Sequence, residues 1–154
     1  MRRTLLVLTP LLLAGCVDQS ASYTINGNSD QAITVRAEQE YFWSDDVTLR
    51  LIVSRMPDCQ RQYPLATLPA AEAGVDLYAS GDNLFTLRAG KQAWQVDAQT
   101  CAQTPVAPQD APGEKIGSYK IGEEKMVFEP APAPAAPAAV APAPAAATEA
   151  APAQ

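Results

Sequence analysis

Val47-Thr48-Leu49-Arg50-Leu51-Ile52-Val53-Ser54 decides the fold. Val47, Leu49, Leu51 and Val53 alternate with Thr48, Arg50, Ile52 and Ser54, a clear period of two. Successive strand residues point to opposite faces, so this run reads as a strand with one apolar face. Its β-branched content supports that reading. Residues 31–37 alternate in the same way, more weakly, and the turn cluster Asn26-Gly27-Asn28-Ser29-Asp30 precedes them. Residues 23–25 and 32–37 are therefore expected to form a hairpin.

A second meander is expected further along, with strands at 75–78, 84–88 and 92–96 and a turn at 80–83. Ala89-Gly90 is read as lying in the last hairpin turn. A two-residue type I′ turn there would put Ala89 at positive φ, which is unfavourable. A three-residue loop with left-handed Gly90 fits better and sets Leu84 opposite Trp94; the two-residue register sets Phe85 there. Residues 56–74 carry Pro57, Pro64 and Pro69 and read as a long loop, with a short helical turn at 70–73. The sum is an all-β domain over residues 23–104, a small antiparallel barrel or sandwich of about six strands.

The amino end has another character. Met1-Arg2-Arg3 is a positive n-region, residues 4–13 are apolar and leucine-rich, and Ala14-Gly15 precede Cys16. This is the layout of a cleaved secretory signal over residues 1–15. An apolar run of about 10 residues is too short to remain as a membrane span, which needs roughly 20. Leu13-Ala14-Gly15-Cys16 resembles the lipobox of bacterial lipoproteins. The resemblance implies cleavage before Cys16, lipid on its thiol, and residues 16–22 as a tether. More than one acyl chain is needed for stable anchoring, and the resemblance supplies two or three on one residue. Val17 rather than Asp after the cysteine implies outer-membrane delivery, facing the periplasm. Tyr41 to Gln62, with Arg55-Met56-Pro57-Asp58-Cys59-Gln60-Arg61, is also similar to small proteobacterial envelope lipoproteins.

There are three cysteines. With lipid on Cys16, Cys59 and Cys101 remain, and an even remainder in an oxidising envelope reads as one disulfide. It would pin the 56–74 loop to the end of the last strand. Closing a loop of about 43 residues is worth about 4 kcal/mol at the upper end.

The chain has no His and a formal charge of −6, which becomes −8 once Arg2 and Arg3 leave with the signal. The sign disfavours nucleic acid and anionic lipid headgroups as partners. The lack of His excludes Ser-His-Asp triads, Cys–His dyads and Cys/His metal sites. No glycine loop suits a phosphate. No cofactor, metal site or catalytic residue is implied. Glu38, Glu40, Asp45 and Asp46 lack calcium-loop spacing and read as a solvated acidic loop. Arg50, Arg55 and Arg61 could bind an anionic glycan, but in a chain this acidic they are expected to pair with Asp45, Asp46 and Asp58.

Tyr41-Phe42-Trp43 are three adjacent aromatics, and neighbours on one strand cannot all face inward. They are the candidate binding residues, because exposed aromatics mark contact sites. The competing reading buries them under the 56–74 loop.

Residues 105–128 read as a linker, in which Lys115-Ile-Gly117 and Lys120-Ile-Gly122 repeat and could form an edge strand or a linear motif. Residues 129–154 are almost entirely Ala and Pro. Such sequence lacks the bulk to fold and favours extended polyproline II, with a reach of about 80 Å. It reads as a disordered tail, either a spacer resembling those of envelope proteins or an end without a partner. Functionally the chain reads as a membrane-anchored, non-catalytic envelope lipoprotein with a protein or glycan partner. The alternatives are a structural periplasmic spacer, or a hydrolase using carboxylates such as Glu40 and Asp45.

Overall fold

The computed structural model describes residues 18–41, 43–108, 113–122 and 125–132. The proposed signal peptide, Cys16, Phe42 and residues 133–154 lie outside them. Ten strands form two antiparallel sheets: β1 (Asp18–Thr24), β2 (Gln31–Glu38), β3 (Asp46–Arg55), β4 (Cys59–Pro69), β5 (Val75–Gly81), β6 (Leu84–Ala89), β7 (Gln92–Asp97), β8 (Ala102–Val106), β9 (Glu114–Ile121) and β10 (Met126–Pro130). The first sheet has the order β1-β2-β3-β4 and the second β10-β9-β5-β6-β7-β8. The all-β reading holds, and of barrel and sandwich the structure is an open two-sheet sandwich.

The alternation at 47–54 does what its period requires. Val47, Leu49, Leu51 and Val53 are all buried, while Ile52 lies half-buried on the opposite face. They meet Ile33 and Val35 of β2, and Val75, Leu77, Leu87 and Val96 of the other sheet, in one core. Burying a side chain of this size stabilises by roughly 1.5–3 kcal/mol. Tyr23, Phe85, Tyr119 and Phe128 pack on the β1 and β10 side, with Tyr23 and Phe128 centroids 5.2 Å apart. The Tyr119 hydroxyl donates across the core to the Ile33 carbonyl at 2.7 Å.

Several sequence expectations require correction. Among the described residues there are ten strands, eight of which (β1–β8) lie in the stretch where about six were expected. Residues 59–69, read as loop, form β4. This strand lies at the edge of its sheet, where proline is tolerated because the outward N–H has no ladder partner to lose. Its register slips opposite Leu49 and Arg50, with Pro64 and Leu65 at the irregularity. The helical turn at 70–73 is present as a 3-10 turn, Ala70–Glu72. The β6–β7 hairpin adopts neither expected register. Ala89 pairs with Gln92 and Leu87 with Trp94, so Gly90-Lys91 is the turn. Positive φ at Gly90 alone, +56°, suits a type II′ turn, which takes Gly at its first central position.

Order does not end at Thr104. Residues 114–121 form β9, an interior strand between β5 and β10 rather than an edge. Gly117 of the first Lys-Ile-Gly is needed there: a Cβ would lie 2.5 Å from both the Glu129 carbonyl oxygen and the Phe128 ring. The connection from β8 to β9 spans four strand spacings, about 19 Å. Arg88 of β6 donates to the Pro108 carbonyl, and Gly113 sits so close to β5 that a Cβ would meet the Ala79 carbonyl at 2.5 Å. At the amino side, β1 includes residues 18–22, which the sequence reading assigned to a tether.

Candidate functional site

Strand directions give the sandwich two distinct ends. β1 begins at Asp18, opposite Glu38, the last residue of β2. The β2–β3 loop, residues 39–45, leaves from that end, and so does the β4–β5 connection, since Ala70 N–H donates to the Asp45 carbonyl at 2.8 Å. The other end carries the β1–β2 turn, the β3–β4 turn and the disulfide. There Thr24 pairs with Ala32, Gln31 with Arg55 and Arg55 with Cys59.

Loop 39–45 holds the aromatic candidates. Ser44 N–H donates to the Tyr41 carbonyl at 3.0 Å, the Gln39 amide donates to the Ser44 carbonyl, and Asp46 N–H donates to the Ser44 hydroxyl at 3.1 Å. The braced loop displays Tyr41 and Trp43 outward, 51% and 69% exposed. Their rings stack on each other, with centroids 5.1 Å apart and planes 21° apart, the arrangement that aromatic quadrupoles favour. The burial reading is thus wrong for these two residues, because β4 lies in the sheet beside β3 and does not fold over them. Glu40 and Asp45 are exposed on the same loop and Asp46 is exposed at the start of β3, while Glu38 is half-buried between Arg36 and Arg50, at 3.2 and 2.9 Å. Arg50 therefore pairs with Glu38 rather than with Asp45 or Asp46, whereas Arg55 pairs with Asp58 at 3.3 Å as expected. Arg36 also holds Asp18, and its hydrogen bond keeps that carboxyl below the usual carboxylate range.

At the opposite end an open cleft of about 430 Å³ lies between the β1–β2 and β5–β6 turns. Tyr23, Ile25 and Phe85 give it an apolar floor; Asn26, Asp82 and Asn83 give it a polar rim. Both asparagines take positive φ, 53° and 58°, a conformation in which Asn is several-fold enriched. Sequence reasoning missed this cleft, because its residues come from three separate stretches. The turn signals at 26–30 and 80–83 were legible, but their apposition was not.

The Cys59–Cys101 disulfide forms at this end, with Cα atoms 6.2 Å apart, inside the ordinary range. Its surroundings are pre-formed by hydrogen bonds. The Asp97 carboxylate accepts from the N–H groups of Gln99 and Thr100 at 2.7 and 3.3 Å, which draws its pKa down. This turn delivers Cys101 at φ 54°. Tyr63 donates to the Cys101 carbonyl at 2.7 Å.

Among the described residues, no group of three or more His, Cys, Asp or Glu side chains could hold a metal ion. No helix among them is long and apolar enough to cross a membrane. No family model matches the chain, and no curated protein or solved structure matches it either.

Proposed function

We propose that this protein is a lipid-anchored envelope lipoprotein of the outer membrane, facing the periplasm, whose sandwich holds a protein or glycan partner without catalysing a reaction. One observation carries the reading: the chain enters the sandwich at one end, and the cleft opens at the other. Seven residues of β1 separate the two ends, about 23 Å of strand. A lipid on Cys16, two residues before β1, would hold the first end at the membrane and turn the cleft toward the periplasm. The lipobox supports the anchor, and the Cys59–Cys101 bond suits an oxidising compartment.

The cleft supports binding over chemistry. Asp82 is the sole carboxylate among the described residues lining it, so no acid–base pair converges there. Its lining sets an apolar floor of Tyr23, Ile25 and Phe85 beside the polar turn residues Asn26, Asp82 and Asn83, groups that can orient a ligand. Glu40 and Asp45, on which a hydrolase reading depends, lie exposed on an outward loop at the other end.

A photo-crosslinking amino acid at Asp82 in the full chain, irradiated in intact cells, tests the proposal. A discrete adduct that disappears when Asn26 and Asn83 are both changed to bulky residues is the expected result. No adduct from position 82 would overturn the partner-binding reading. Acyl mass on Cys16, lost in Cys16→Ser, tests the anchor separately.

The spacer reading has its own support. Ala131 N–H donates to the Ile116 carbonyl at 2.7 Å, which carries β10 to the cleft end. Residues 133–154, whose composition favours polyproline II, thus continue the chain from the end opposite Asp18. A carboxy-terminal deletion of those residues that leaves envelope spacing and partner capture unchanged would count against it.

A further inference from the structure

The anchored reading has a geometric consequence for Tyr41 and Trp43. Only Val17 separates Cys16 from the first residue of β1. Two chain steps reach at most about 7 Å. Asp18 faces Glu38 across the β1–β2 ladder, and paired antiparallel residues have Cα atoms about 5 Å apart. Loop 39–45 departs from Glu38 at once. The short tether therefore keeps the aromatic loop close to the anchor point and leaves the sandwich only rotation about it.

We propose that Tyr41 and Trp43 form a membrane-interface contact, seated in the headgroup region of the bilayer that holds Cys16. The proposal rests on lipidation of Cys16. Tyr and Trp partition to that depth because each has an apolar body and a polar tip. The hydrogen bonds that brace loop 39–45 pre-order both rings, so little freedom is lost on insertion. The contact fixes the tilt of the sandwich. A lipid on one residue is a swivel, and a second contact on the same end turns it into a seat with the cleft outward. Glu40 and Asp45 on the loop, with Asp46 at the start of β3, select the lipid: zwitterionic headgroups tolerate them, whereas anionic ones repel them.

The chain has two tryptophans, and Trp94 is buried in the core, beyond the reach of a lipid quencher. Lipidated full-length protein is reconstituted into phosphatidylcholine–phosphatidylethanolamine vesicles with brominated acyl chains. The expected result is a blue shift and loss of Trp43 emission, absent from Trp43→Phe, while Trp94 emission is unchanged. Adding phosphatidylglycerol weakens the quenching, and Asp45→Asn with Asp46→Asn restores it. Acyl mass on Cys16 with unquenched Trp43 overturns this proposal alone. No acyl mass on Cys16 overturns the anchored reading and this proposal with it. A photo-crosslinker at position 43 is expected to capture lipid; a protein adduct there in place of lipid also overturns it.

Discussion

The hydroxyl of Tyr119 on β9 donates to the backbone carbonyl of Ile33 on β2, at 2.7 Å, and so fastens the six-stranded sheet to the four-stranded one. Both residues are fully buried. Burial pushes the Tyr119 phenol far above its ordinary pKa.

Tyr119→Phe keeps the ring contacts and removes the donor. The expected loss is about 1 kcal/mol, a fall in Tm of roughly 4 °C. Thermal unfolding followed by circular dichroism reads it. An unchanged Tm would mean that this hydrogen bond adds nothing to the apolar packing and the disulfide that also join the two sheets.

Reducing the Cys59–Cys101 bond, or replacing both residues by Ser, reopens a loop with a sequence separation of 42. The chain-entropy estimate is about 4 kcal/mol, an upper-end figure. Denaturant melts of oxidised and reduced protein give the difference. The cluster of Asp97, Gln99 and Tyr63 around Cys101 adds a second expectation: Asp97→Ala loosens the turn and slows reoxidation.

Gly117→Ala places a methyl group where the Phe128 ring and the Glu129 carbonyl already lie. Overpacking of this kind costs about 1–3 kcal/mol. β10 must shift to admit it, so amide exchange should rise in residues 126–130 before it rises in β3. Equal exchange in both would show that the sandwich opens as one unit.

Tyr41→Ala and Trp43→Ala, by contrast, should change stability by less than about 0.5 kcal/mol, because both rings are largely exposed. Urea melts of the unlipidated domain test this. A large loss would mean that the stacked pair holds the fold rather than a contact.

Stability should fall in acid. Burial lifts the Asp76 carboxyl, but hydrogen bonds from Lys115, Ser118 and Tyr78 outweigh it and hold the pKa below the usual range. Asp97 is held down by the N–H groups of its turn. A carboxyl with a depressed folded pKa contributes stability above its unfolded value, near 3.9, and loses it as pH falls through the folded value. The folded state should therefore weaken below about pH 4, and Asp76→Asn should flatten that decline. A stability profile with the same slope in the variant would remove Asp76 from the account.

By itself the sequence determined what is local. A period of two at 47–54 made β3 and chose its buried face, and turn residues at 26–30 and 80–83 placed two reversals. Cysteine number and position anticipated the Cys59–Cys101 bond. Period and turn chemistry are properties of neighbours in the chain, which is why one stretch can be read alone. Tertiary structure decided the rest. Pro64 looks like a strand breaker until its strand is seen at a sheet edge, and Gly117 looks like a linker residue until Phe128 is seen lying over it. The same holds for the two ends of the molecule. That loop 39–45 shares an end with Asp18, and that Asn26 meets Asn83 across a cleft, follows from strand direction and order. Both are set by which apolar faces pack together over long sequence separations, and no local pattern encodes them.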